Sequence, residues 1–551
     1  MNDLEYARSE VRRHIGNQWE EIVKAGFRLG LAGALLAMLT AVASAEKVLR
    51  IEDIPIGELD PAKAADVADS ILMFNVYDTL VLANQGKSGV GPLLAKSWKV
   101  DGSDFTFTLR DDVIFHTGNP LTSDDVVYSF QRFVALGQGL SHLLRGHVKS
   151  VTAVDEHTVK FSLEKPYAPF LTSLTRLPVI DSKSAKANTK SGTFGDNGDY
   201  AQAYLTAHDL GTGAYRIVSH NPQEATEFAR NDKYFLAFPD GAPDRVTLRY
   251  GLDAATIRTL LARGELDISS QWLAPEIMSS LAKEPGMKLV AETSLGNYSI
   301  KLNTQRAPLD DVHCRRAIAD AIDYQALLSL AKLTNDISSG TPANGPIPAG
   351  VLGADSDLPY PKKDMDKARK ELKQCAHDPA ASKIVISWIS EIPVEEKYAL
   401  LMQANFQELG FKTEVVRMPW AFYTQQTATP GSTPHIGQLF SVPTLPDPDA
   451  LLYNTYHSSV RGTYASSQWL VDSEVDNLLD AGRATFDEAE REKIYRKLDA
   501  RLVELQPNIF GYNTKTVRVV RDGIHITPLE EKGKAYSQAV VNLMFRNITI
   551  K

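Results

Sequence analysis

Two cysteines, Cys314 and Cys375, and twelve histidines are the side chains of widest chemical range in this 551-residue chain. The histidines are scattered. There is no His-Glu-x-x-His, no close histidine pair and no cysteine cluster, so no metal site is spelled out and none is expected. No Gly-x-Ser-x-Gly elbow or Gly-x-x-x-x-Gly-Lys-Ser/Thr loop occurs, which leaves acyl transfer and nucleotide hydrolysis without their usual signatures. A triad can still assemble from distant residues, so missing motifs weigh little alone. His116 sits between a strand pattern and a turn, where packing is its expected role. Asp124 and Asp125 look like a carboxylate pair, yet at a helix start they complement the dipole. Cys314 shares a helical face with Ile318, Ala321 and Ile322, and Cys375 with Ala368 and Leu372. Buried thiols and a disulfide both remain open, and neither spacing suits zinc.

The elements that must position these groups are legible as periodicity. Phe105, Phe107 and Leu109 alternate with Thr106, Thr108 and Arg110, the pattern of a half-buried strand, and Val113-Ile114-Phe115 is the expected partner strand. Gly118-Asn119-Pro120 marks a turn. Thr122 then caps a helix with Asp125 three residues on, and Val126, Phe130 and Phe133 form its apolar stripe. Val48 to Ile51 starts a strand, Leu59 to Ala62 a loop, and Ile71-Leu72-Met73 belongs to an apolar helix. Alternation recurs at Tyr215, Ile217 and Ser219, at Val246, Leu248 and Tyr250, and at Ile384, Ile386 and Trp388. Ile494, Leu498, Leu502 and Leu505 form a helical stripe ahead of Pro507. The class is mixed α/β. Gly340 to Pro361 and Thr427 to Pro448 read as loops, and no repeat or low-complexity tract is present.

The length calls for two or three domains. Composition is that of a soluble globular protein, with 43% hydrophobic and 23% charged residues. A net charge of -9 argues against nucleic acid as a partner, because neutralising phosphates needs a basic face. Leu29 to Ala45 is apolar and uncharged, follows Lys24 and Arg28, and ends in Ala43-Ser44-Ala45. This reads as a secretory signal cleaved after Ala45 rather than a membrane anchor, since the run is rich in Ala and Gly and ends in small residues. The 22 residues before Val23 are too long and too acidic for an ordinary signal start, so Met1 reads as a misplaced start codon. No cysteine lies near the cleavage point to carry lipid.

Residues 93 to 133, LLAKSWKVDGSDFTFTLRDDVIFHTGNPLTSDDVVYSFQRF, closely resemble the signature of the large extracytoplasmic solute-binding proteins, family 5, which serve peptide, dipeptide and nickel ABC importers. The resemblance continues through Gly211-Thr212-Gly213-Ala214-Tyr215, Arg230 to Phe235, Leu261 to Ile268, Leu302-Asn303-Thr304, Pro308 to Val312 and Arg315 to Ile318, and spans most of residues 49 to 520. It implies a two-lobed, hinged α/β periplasmic binding protein of type II with an additional small domain. One lobe takes residues 46–84, 211–297 and 505–551, the small domain 85–210 and the second lobe 298–504.

The resemblance also points to the cleft. Trp420 matches a tryptophan that stacks on ligand in peptide-binding relatives, or is an ordinary core aromatic; Tyr423, Phe440 and Trp388 are lesser candidates. Where those relatives carry a Gly-Trp pair and an aspartate for the ligand's ammonium, this chain has Phe440-Ser441 and Thr444. Asp447 or Asp449 replaces that carboxylate, or the cargo lacks a free peptide N-terminus; both aspartates also fit as caps of a helix starting near Ala450. The expectation is a monomeric periplasmic protein, without cofactor or catalysis, that captures a peptide or peptide-sized polar solute and passes it to inner-membrane ABC permease subunits and their ATPase. An opine, an oligosaccharide or a nickel complex are alternative cargoes. A secreted enzyme and a peptide-handling chaperone are alternative classes.

Overall fold

The computed structural model describes residues 46–84, 89–526 and 543–551. The expected signal segment and its cleavage point before Glu46 therefore lie outside the described residues. Among these no helix is long and apolar enough to cross a membrane.

The alternation at Phe105, Phe107 and Leu109 builds strand Asp104–Leu109, whose apolar side chains are buried against Val159 and Phe161 of Thr158–Leu163. Its other neighbour is Ala95–Asp101, joined by a tight turn in which Gly102 takes a φ of 58°, a left-handed conformation that glycine adopts without penalty. The expected partner Val113-Ile114-Phe115 is not a strand. The turn at Gly118-Asn119-Pro120 folds this segment onto itself, with the Phe115 amide on the Asn119 carbonyl at 2.9 Å and the Leu121 amide on the Val113 carbonyl at 3.1 Å. Val148–Asp155 completes this four-stranded sheet. The capping box appears as read: helix Ser123–Leu136 starts with the Thr122 amide on Asp125 Oδ2 at 2.8 Å and stops at Gly137, φ 62°. Val126, Phe130 and Phe133 are buried.

A second four-stranded sheet pairs Val48–Glu52 parallel with Arg245–Arg249, followed by Ala225–Arg230 and Tyr215–Asn221. The largest sheet has six strands in the order Gly340–Pro342, Asn508–Arg521, Met287–Leu302, Ile436–Ser441, Lys383–Ile389 and Lys412–Met418. Ile436–Ser441 lies inside the stretch 427–448 that reads as a loop. Buried on both faces at Ile436 to Leu439, it needs no polar alternation, and that removes the usual strand signal. The Ile494 stripe is confirmed as the face of helix Glu488–Leu505 that buries Leu498 and Leu502.

One apolar core joins the two four-stranded sheets and reaches Leu543, Phe545 and Ile548 at the far end of the chain. Another lies under the six-stranded sheet, around Tyr298, Ile300, Ile318, Phe406 and Ile436. Cys314 and Cys375 form a disulfide with Cα atoms 5.0 Å apart. Cys375 lies past the end of helix Met365–Leu372, so the apolar face expected to carry it ends first.

Candidate ligand-binding site

Strands Met287–Leu302 and Asn508–Arg521 run antiparallel from Met287↔Arg521 to Lys301↔Asn508. Both strands belong to the six-stranded sheet, and their Met287/Arg521 half also touches the sheet of Val48–Glu52, where Ile268 bridges Val520 on one side and Ile51 on the other. Between this half and the other the register jumps: Thr293 faces Lys515, but Asn297 faces Asn513. The extra residues bulge out, and Ser294 Oγ pins the bulge to Thr514 Oγ1 at 2.5 Å. Gly296 sits where a Cβ would lie 2.5 Å from the Ser441 carbonyl oxygen, so any side chain there collides with backbone.

The candidate residues fall into three places. Trp420 opens helix Trp420–Gln426, is 36% exposed, stacks on Tyr423 with centroids 6.0 Å apart and meets exposed Tyr464 edge-on at 5.0 Å. Tyr423 is fully buried, its hydroxyl paired with Ser467 Oγ at 3.1 Å, so it supports Trp420 from beneath. Phe440 and Ser441 end strand Ile436–Ser441; the Phe440 ring packs 4.9 Å from Tyr298, its cross-strand partner. Trp388, on the strand beside it, is buried with the Arg417 guanidinium 5.6 Å over its ring.

Thr444, Asp447 and Asp449 follow that strand. Asp447 accepts the Asp449 amide at 2.9 Å and caps helix Pro448–Tyr456, while Arg491 holds both its oxygens at 2.7 and 2.8 Å. Arg483 likewise holds Asp449 at 2.9 and 3.0 Å. Both carboxylates are buried and neutralised from within the fold. The Thr444 carbonyl accepts Arg176 Nε at 2.8 Å, and the Arg176 guanidinium lies 4.9 Å over the Phe74 ring. Sequence reading missed Arg176. It is the only charged residue between Lys165 and Asp181, an interruption of an apolar run that could have flagged it.

Other titratable groups serve the scaffold. His116 bonds Asp209 at 2.5 Å and the Gly213 carbonyl at 2.9 Å. Burial alone would lower its pKa, but the Asp209 carboxylate raises it. Asp125 binds Thr122 and Ser182, completing the cap rather than a catalytic pair with Asp124. Glu395 is buried beside the Tyr298 cluster, and burial pushes its pKa up to about 8. Among the described residues the only group spaced to hold a metal is Asp311 with Cys314 and Cys375, and both thiols are spent in the disulfide.

Residues 89–463 match the family model for the bacterial extracellular solute-binding proteins, family 5, middle region. The chain belongs to that family. The probable D,D-dipeptide-binding periplasmic protein DdpA of Escherichia coli (strain K12) is 29% identical to this solute-binding protein over 451 residues, covering 80% of this chain and 83% of the relative. Two solved structures share its fold. The ABC transporter-associated periplasmic binding protein DppA from Helicobacter pylori, in complex with peptide STSA, superposes with a TM-score of 0.72 at 22% identity, covering 91% of this chain and 98% of that one. AgaA from A. tumefaciens R10, in complex with agropinic acid, gives 0.69 at 23%, covering 92% and 99%. The solute-binding protein thus has the two-lobed α/β fold of periplasmic binding proteins, as expected from its sequence, and its family is one of binding proteins rather than enzymes.

Proposed function

We propose that this chain captures a peptide or peptide-sized polar solute between two lobes and delivers it unchanged to an ABC permease. The observation that carries the reading is the paired crossing of Met287–Leu302 and Asn508–Arg521, interrupted at 294–296 beside the proposed lobe boundary at 297/298. A break in strand pairing lets two rigid sheets swing on a short stretch of backbone. Ligand favours the closed arrangement only if it binds that arrangement better, and closure is then the signal the permease reads. The lobes are 46–84 with 211–297 and 505–551, and 298–504; the small domain is 85–210. Trp420, backed by Tyr423, offers a half-exposed aromatic plane for the cargo. The protein acts as a monomer in the periplasm.

A second reading keeps the role and changes the cargo to an opine, an oligosaccharide or a nickel complex. It is favoured by Asp447 and Asp449, whose carboxylates are already neutralised by Arg491 and Arg483, leaving Thr444 where a peptide's ammonium needs an acid.

Native mass spectrometry of protein purified without denaturation tests the role, with scattering before and after ligand removal. One retained, chemically unchanged solute and an expansion on its removal are expected. Turnover of the solute, or dimensions indifferent to every candidate, would overturn it.

A further inference from the structure

Among the described residues, five arginines are buried. Arg132 grips Asp60 and donates to the Tyr200 carbonyl. Arg491 grips Asp447, and Arg518 donates to Asp53 at 2.9 Å. Arg315 is spread over the carbonyls of Leu309, Asp310, Leu505 and Gln506. Arg176 stands apart: it is 7% exposed, its one hydrogen bond uses Nε, and no carboxylate lies within ion-pair distance among the described residues. Among the described residues both terminal nitrogens lack an acceptor.

A buried cation without a counter-charge costs several kcal/mol, so proteins rarely keep one that does nothing. Here the burden is placed with care. Nε is fixed on the Thr444 carbonyl and one face is laid on Phe74, so the guanidinium is held in place while its two terminal nitrogens stay uncommitted among the described residues. Their edge offers two parallel N–H donors spaced for the two oxygens of a carboxylate. Thr444, the residue whose carbonyl holds Nε, makes no hydrogen bond through its hydroxyl among the described residues. We propose that the outer edge of Arg176 is an anion site that receives a carboxylate of the cargo, so that the solutes carried are carboxylic acids. The inference rests on the solute-binding reading above and narrows it.

The test uses the mature chain and the small-molecule fraction of yeast extract, native and after methyl esterification of its carboxylates. After incubation and desalting, retained solutes are identified by mass and their affinities measured on wild type, R176Q and R176K. The native extract is expected to yield a retained carboxylic acid, the esterified extract none. R176Q should bind the acid about 10- to 100-fold more weakly, the loss of a charge-assisted pair, with R176K between the two. A merely structural role for Arg176 would weaken acid and ester alike. Equal retention of ester and acid, or unchanged affinity in R176Q, overturns the anion site while leaving the solute-binding role intact. If R176Q does not fold, R176K and the ester comparison decide. Retention of no solute from either extract by wild type overturns the role itself, and the anion site with it.

Discussion

Arg491 holds both oxygens of Asp447, Nη2 to Oδ1 at 2.7 Å and Nη1 to Oδ2 at 2.8 Å, with both side chains buried. Removing one partner strands the other charge. Asp447→Ala is expected to lower folding stability by about 3–5 kcal/mol, and Asp447→Ala combined with Arg491→Met to recover part of that loss. Urea denaturation of the single and double variants checks it; an additive double variant would mean the pair is not coupled.

Glu395 carries a pH signature. Burial raises its pKa from 4.5 to about 8, so its contribution to stability is fully present below about 4.5 and is lost as pH rises through 8. Glu395→Gln keeps an acceptor for the Ile389 amide and cannot ionise. The variant should match wild type near pH 5 and exceed it by roughly 3–5 kcal/mol above pH 8, read from denaturation curves at each pH.

The Cys314–Cys375 bridge closes a loop with a sequence separation of 61. Chain-entropy arguments assign such a loop about 4 kcal/mol. Cys314→Ala with Cys375→Ala is expected to lower the melting temperature, and added dithiothreitol to do the same to wild type and nothing to the variant.

Trp420→Ala removes a half-exposed ring that opens a helix without filling a core. Affinity for the retained solute is predicted to fall at least about tenfold, in keeping with a lost aromatic contact and its buried area, while the ligand-free melting point stays near wild type. Unchanged affinity in calorimetry would take Trp420 out of the site.

Much of the scaffold was legible because it obeys local rules. The Phe105 alternation, the Thr122–Asp125 box and the Ile494 stripe each depend on neighbours a few residues away. What escaped depends on distant ones. Strand Ile436–Ser441 is sandwiched between Met287–Leu302 and Lys383–Ile389, so Ile436 to Leu439 are buried without alternation, Gly437 and Gln438 included, and the flanking threonines and prolines suggest a loop. Asp447 meets Arg491 from 44 residues away, and Arg176 meets Thr444 from 268. No spacing rule reaches that far. The disulfide was one of two open readings because a Cα separation is a property of the fold.

Leu543 and Phe545 help complete the core that joins the two four-stranded sheets. Asn75 donates to the Leu543 carbonyl and accepts the Phe545 amide, and Asp53 receives Arg518, contacts 465 to 470 residues apart. Until synthesis reaches position 545, helix Val67–Val76, which carries Asn75, lacks its closing partner, and the polypeptide must wait, incomplete. A premature stop near the end would therefore wound the beginning of the fold.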